Sequence, residues 1–372
     1  MLTRHHPLLT HTLGTARELV SFHYGTPGRG AKAYIQASLH ADELPGMLVA
    51  HHLRERLAAL EGKGQLAGEV VVVPLANPVG LAQWLLREPV GRFHLASGDN
   101  FNRHYPRLAD AVWQRVAATL GPDAETNVRL IRAALRDAVQ AAPVTTEIES
   151  LRRALLGLAC DADIVLDLHC DSESVMHLYT GTPLWPQAEP LARCLGAEVC
   201  LLATESGDWP FDEACSQLWW LLAERAGPLR PVPPACLAAT VELRGALDVS
   251  HALAAHDAQA LIDFLTHRGI VDLPLPALPP LKREPTPLAG SEPIDASASG
   301  LVAWLKAPGD WVGSGEAVAE LIDPLSATVT VLRSRTDGLL YARDSRRFAT
   351  TGMRLGKVAG ATATRTGKLL SS

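Results

Sequence analysis

Between Tyr34 and about residue 268 the chain alternates short apolar runs with longer stretches of helical period. No other feature limits the fold as much. The runs are AYIQASL (33–39), VVVPLA (71–76), DIVLDLH (163–169), VMHLYT (175–180), VCLLAT (199–204) and AATVEL (238–243). Several are continuously apolar, as strands covered on both faces must be. Helices are expected over 44–60, 187–195, 212–226 and 249–267. Together they predict an α/β domain of three layers with a mostly parallel or mixed sheet. Residues 107–160 break the rhythm with helical stretches near 107–120, 125–141 and 145–160. They are expected to form an insertion whose apolar faces cover the sheet or make an oligomer contact.

Seven prolines crowd residues 274–293, a density that gives semi-rigid extended backbone and predicts a linker after a first domain of 1–273. Residues 294–361 hold short strand-like runs separated by turn glycines, predicting a small all-β barrel or sandwich. Residues 362–372 read as a loosely held tail. A net charge of −6 argues against nucleic acid as a partner. The polar, interrupted first twenty residues lack a signal-peptide block. No apolar run reaches the roughly 20 residues of a membrane span. The six cysteines show no CxxC spacing, which suits buried free thiols in a reducing compartment. These features predict a soluble cytoplasmic protein with no membrane partner.

Four places carry candidate chemistry. His40 and Glu43 form an HxxE between a strand and a helix, and imidazole and carboxylate both suit Zn²⁺. His52 and Glu55 match the same pattern but lie inside a helix, where a solvated face is expected. His169 ends the run DIVLDLH; as a third ligand it would complete a His₂Glu set with one open position, while Asp167 on the same strand face is placed to orient it. The plain alternative is a strand-end histidine bonded to backbone. In GDNFNR, Asn102 and Arg103 offer an amide and a guanidinium suited to a carboxylate, or else a polar turn. Glu242 lies in the apolar run AATVEL, where a carboxylate is costly unless paired and, when desolvated, is tunable as a general base.

The order of these pieces resembles the zinc carboxypeptidase-like superfamily, and within it the succinylglutamate desuccinylase/aspartoacylase family. SLHADE, ANPVGLAQ, GRF, GDNFNRHYP, DLHCD and TVELRG carry the resemblance, which spans about residues 30–268. It implies a zinc-carboxypeptidase-like fold with one zinc per chain held by His40, Glu43 and His169. It further implies Glu242 as general base and acid, Asn102 with Arg103 as a clamp for the substrate carboxylate, and an arginine polarising the scissile carbonyl, Arg92 ahead of Arg87. Asn100 stands where the family usually has Asp; if that Asp orients a zinc-bound histidine, another group must serve, Asp99 or Asp167.

The C-terminal segment resembles a biotinyl/lipoyl-like barrel-sandwich hybrid. No lysine occurs between Lys306 and Lys357, so a carrier role fails and an interaction or site-rim module remains. The resemblance implies a zinc-dependent hydrolase of the amide bond of a small N-acyl amino acid. The linked barrel and NFNR are similar to the N-acetyl-diaminobutyrate deacetylase type. The rivals are a metallocarboxypeptidase acting on peptides and a catalytically inactive scaffold. A homo-oligomer fits all three. No GxSxG elbow supports a serine nucleophile, and Cys170 reads as a buried thiol.

Overall fold

In the computed structural model, which describes residues 1–370, the apolar runs assemble into one nine-stranded mixed sheet. Its centre is parallel: Glu69–Val73, Lys32–Ala37, Ile164–Asp171 and Leu237–Gly245 lie side by side in that order. His177–Gly181 then pairs antiparallel with Leu237–Gly245, and Val199–Ala203 follows parallel to it. Both faces are covered, which explains the unbroken hydrophobic runs. Val70 and Val72 pack into one core layer and Val71 and Val73 into the other.

One layer is formed by the helices Pro45–Gly62, Trp185–Leu195 and His251–His267. The opposite layer holds Ala109–Val116, Ala124–Ala141, Glu147–Ala159 and Phe211–Ala226. The helical insertion therefore covers the sheet: Val112, Ile131 and Leu155 share a core with Tyr34, Val71 and Val165.

Three segments differ from the sequence reading. The polar N-terminus forms two strands, Leu2–Pro7 and Glu18–Tyr24, which extend the sheet at one edge. Hydrophobicity hides them because their inward polar groups bond to one another. His6 Nε2 lies 2.8 Å from Ser21 Oγ, Ser21 Oγ 2.9 Å from His23 Nε2, and His23 Nδ1 3.3 Å from Glu69 Oε1. The proline-rich stretch ends in structure: Thr286–Pro287 adds a strand beside Val199–Ala203, and Ser291–Asp295 belongs to the β region. Pro287 is tolerated at the sheet edge because no ladder bond needs its missing N–H. The tail is docked rather than loose over 362–370. Leu369 is buried and its N–H donates to the Ser206 carbonyl at 2.9 Å, while Lys368 pairs with Asp208 at 2.8 Å. Residues 371 and 372 of the expected tail lie outside the described residues.

The C-terminal β region consists of two antiparallel sheets packed about Val302, Val318, Leu321, Leu340 and Val358. One of them also takes in Glu173–Ser174, a two-residue strand just past Asp171, which pairs with Ala342 and Arg343. Glu173 is gripped there by Arg343 and Arg347 at 2.6 and 2.5 Å. A second apolar contact joins Tyr179 and Leu201 of the large sheet to Leu339, Tyr341 and Leu369. Among the described residues the six cysteines form no disulfide, and no helix is long and apolar enough to cross a membrane.

Candidate active site

At the C-terminal end of Lys32–Ala37 the chain turns through Ser38, which has a left-handed φ of 63°, and delivers His40 and Glu43, both buried. Two supports fix this turn. Asn77 Nδ2 donates to the Leu39 carbonyl at 2.9 Å, and Asn77 Oδ1 accepts the Gly80 N–H at 2.7 Å. On the other side the Ala41 N–H donates to the Gly91 carbonyl at 3.0 Å. A Cβ on Gly91 would sit 2.4 Å from the Asp42 nitrogen, so glycine is required to bring the next residue, Arg92, against the turn.

His169 and Glu242 are cross-strand partners in the parallel pair Ile164–Asp171 and Leu237–Gly245. Neighbours in register share a face, so both side chains lean over the same side of the sheet. Just beyond, Arg244 takes a φ of 64° and the register shifts, which turns the strand away. Strain of this kind collects beside functional groups.

The ring of contacts is tight. Glu43 Oε1 lies 2.9 Å from His40 Nδ1, and Glu43 Oε2 lies 2.8 Å from His169 Nδ1. The Cys170 N–H donates to Oε2 at 3.0 Å. The imidazoles meet edge to face at 4.9 Å, and one donor atom from each of His40, Glu43 and His169 lies within 4.8 Å of the others. Both outer nitrogens are engaged: His40 Nε2 lies 2.8 Å from Asn100 Oδ1, and His169 Nε2 lies 2.9 Å from Asp167 Oδ2. An imidazole whose Nε2–H faces an outer oxygen keeps its Nδ1 lone pair for a metal, and the positions of Asn100 Oδ1 and Asp167 Oδ2 suit that form. Asn100 thus orients His40 itself, from the place where Asp was expected. Asp167 serves His169, and Asp99 stands apart near His104, 3.8 Å away.

Electrostatics favour a cation in this ring. Burial, then Arg92, lowers His40 to about 4, so its ring is neutral. Burial opposes charge on His169, yet Asp167 and Glu43 raise it well above the ordinary histidine value. Burial likewise opposes charge on Glu43, and the two histidines outweigh it and hold Glu43 well below the usual carboxylate range. Burial, then the Glu43 carboxylate, pushes Glu242 up to about 8, and its Oε2 is buried without a hydrogen-bond partner among the described residues. Two nitrogens, one carboxylate and an open side fit a divalent ion such as zinc.

A cleft of about 1000 Å³, counted to its open mouth, runs past this ring. Arg92 lines it, with NH1 3.1 Å from Glu43 Oε1 and 3.2 Å from His40 Nδ1; Arg87 is exposed at the tip of a hairpin and takes no part. Asn102 and Arg103 line it too. Asn102 Oδ1 accepts the Phe211 N–H at 2.8 Å, its Nδ2 lies 3.5 Å from His169 Nε2, and Arg103 NH1 donates to the Asn102 carbonyl at 2.7 Å. The HxxE of His52 and Glu55 lies on the far layer, where His52 contacts His251 at 3.0 Å.

A family model described as the succinylglutamate desuccinylase/aspartoacylase catalytic domain matches residues 29–268. The chain belongs to this family. Its members are deacylases, and the fold agrees throughout the chain. A family protein from Shewanella amazonensis superposes with a TM-score of 0.85 at 27% identity, covering 96% of this chain and 98% of that one. One from Shewanella frigidimarina gives 0.86 at 24% identity, over 96% and 97%. A product-bound ectoine utilization protein from Ruegeria pomeroyi shares the fold at 0.66 and 16% identity, over 96% and 94%. No curated protein matches the chain.

Other lining groups escaped the sequence reading. Asp212 and Glu213 begin the helix Phe211–Ala226; burial pushes them up to about 6 and about 7. Tyr341, Arg354, Lys357, Arg365 and Leu369 come from the β region and tail. The one available signal was Lys357, one of only six lysines, set in an otherwise apolar run.

Proposed function

We propose that this family member is a zinc-dependent hydrolase that removes a short acyl group from a small N-acyl amino acid, with one zinc per chain. The observation that carries the reading is the buried group of His40, Glu43 and His169 with Glu242 in register beside His169. These three residues would hold the ion, which when bound supplies a Lewis acid that polarises the scissile carbonyl and acidifies water. Glu242 takes a proton from the attacking water and passes it to the leaving amine nitrogen. Positive charge among the ligands lowers Glu242 from its raised value toward neutrality, where such a base works best. Arg92 donates to the oxygen that gains charge as the carbonyl is attacked. Arg103, supported by Asn102, holds the α-carboxylate of the amino acid.

The β region and tail wall the cleft on one side, which supports a small substrate over a peptide. The deciding experiment joins metal analysis of the purified protein to an amine-release assay over a panel of N-acyl amino acids and a peptide. Glu242→Gln is expected to retain metal and to lose at least about a hundredfold in turnover. A Glu242→Gln variant of undiminished activity overturns the role, and a protein that binds no metal overturns the reading.

A further inference from the structure

Glu242 has a second neighbour in the sheet. Its strand runs between Ile164–Asp171 and His177–Gly181, and Glu242 stands opposite His169 on one side and His177 on the other. Residues in register share a face, and directly opposite side chains of an antiparallel pair start about 4.5–5.5 Å apart at Cβ. A candidate metal ligand, the base and His177 thus form one row across three strands.

His177 is fully buried, at 0% exposure. Its Nδ1 lies 2.8 Å from the Val175 carbonyl oxygen, which only accepts, so Nδ1 carries the hydrogen. Burial, with Asp171 opposing it and Lys357 adding to it, lowers the ring to about 4. The imidazole is therefore neutral, and Nε2 presents a lone pair. That atom is buried and has no hydrogen-bond partner among the described residues.

Five polar groups face the ring: Tyr179 on its own strand, Asp171 and Glu242 on the sheet, and Tyr341 and Lys357 on the β region. The tyrosine rings meet it at 5.4 and 5.0 Å. Four of the five are already engaged. Asp171 holds Lys357 Nζ at 2.6 Å and the Ser172 N–H at 3.1 Å. The Tyr341 hydroxyl lies 2.7 Å from Ser291 Oγ and is also bonded to Tyr179. Glu242 remains. It is half-buried and lines the cleft, yet its Oε2 is buried without a partner. Oε2 of a carboxylate and Nε2 of this tautomer both accept, so they cannot bond to each other. Water has two hydrogens, and buried water bridges polar groups that lack other partners.

We propose that His177 is a positioning residue for Glu242, joined to it by one buried water that donates one hydrogen to His177 Nε2 and the other to Glu242 Oε2. The bridge holds Oε2 still and turns Oε1 toward the cleft. Oε1 then takes the proton of the attacking water and returns it to the leaving nitrogen, while the bond at Oε2 is kept throughout. This kinetic consequence rests on the hydrolase reading above.

The test uses the full-length protein and the best substrate of the N-acyl amino acid panel. His177→Phe keeps the ring contacts and removes Nε2. It is expected to lower kcat by about ten- to a hundredfold, with KM and metal content unchanged. His177→Gln, whose amide reaches the place of Nε2, is expected to recover most of the loss. A side chain that only filled the core would show a fall in Tm shared by both variants and no selective fall in kcat. Full kcat in His177→Phe, or equal impairment in Phe and Gln, overturns the role. Infrared spectroscopy supplies a readout without turnover. In metal-free protein, held below the raised Glu242 value of about 8, the carboxyl is protonated. Its stretch is the band that Glu242→Gln removes. That band is expected to move to higher frequency in His177→Phe and to keep its wild-type place in His177→Gln; an unmoved band in His177→Phe overturns the bridge. If His177→Phe does not fold, His177→Asn, whose amide ends short of the Nε2 place, serves in both measurements. If no substrate releases amine, the hydrolase reading fails by itself, and the band alone decides whether His177 holds Glu242.

Discussion

Replacing Lys357 by Met tests how the β region is joined to the site. Lys357 Nζ lies 2.6 Å from Asp171 Oδ2, and each side chain is only a quarter exposed. Asp171 stands two residues after His169 on the same strand. Removing the ammonium leaves a partly buried carboxylate near Glu242 with one remaining bond, from the Ser172 N–H at 3.1 Å. Breaking a fully buried pair costs about 3–5 kcal/mol; with a quarter of each group in water, about 2–3 kcal/mol is expected. For a chain of 372 residues that is about 3–4 °C in Tm. Asp171→Asn in the same background removes the orphaned charge, so the double variant should recover most of the loss and give a coupling of about 2 kcal/mol. Asp171 is depressed, so its contribution is present above the unfolded carboxylate value and lost as pH falls through its folded value. Lys357 is raised, so its contribution is present below the unfolded lysine value and lost as pH rises through its folded one. Denaturant unfolding of the four proteins at pH 7 therefore lies inside the window. Additive losses, with a coupling below about 0.5 kcal/mol, refute the argument. An activity readout accompanies it. Lys357 lowers the pKa of Glu242, so in Lys357→Met the acid limb of the rate profile should move to higher pH.

Two further outcomes are expected. Asn100→Asp places a carboxylate on His40 Nε2 and should tighten metal binding by about tenfold, whereas Asn100→Ala should weaken it by about 10–100-fold in a chelator competition; equal affinities in all three proteins exclude the orienting role. Glu213 has a raised carboxyl, which disfavours the folded state increasingly as pH climbs past the unfolded glutamate value toward about 7. Glu213→Gln should therefore raise Tm at pH 8 and change it little at pH 4, and a gain of the same size at both values would count against a titrating Glu213.

The parts of the fold that bury apolar side chains were legible as sequence. Val70 to Val73 and the core of Ile164–Asp171 announced strands covered on both faces, and the ligand candidates sat at the ends of such strands. Ser21 and His23 are buried in Glu18–Tyr24, but their bonds to His6 and Glu69 replace the hydrophobic signal that a reader looks for. The docking of the tail was equally invisible, because Leu369 and Leu370 are only two apolar residues in a polar stretch and their pocket is made by residues far away in the chain. Motif spacing named His40, Glu43 and His169. It gave no indication that Asn100 would face His40, since a neutral amide and a carboxylate at that place look like different intentions and turn out to present the same acceptor.

The cleft is assembled from two stretches of the chain with separate duties. Everything that holds the candidate ion and its attendant base lies between His40 and Glu242, whereas Tyr341, Arg354, Arg365 and Leu369 reach the same space from the far end. Substitutions at those four positions can therefore redraw what is admitted with little effect on the reactive centre, whereas Lys357, paired with Asp171, ties the two stretches together. Specificity can therefore be revised at the rim residues of the β region, provided that Lys357 keeps its hold on Asp171.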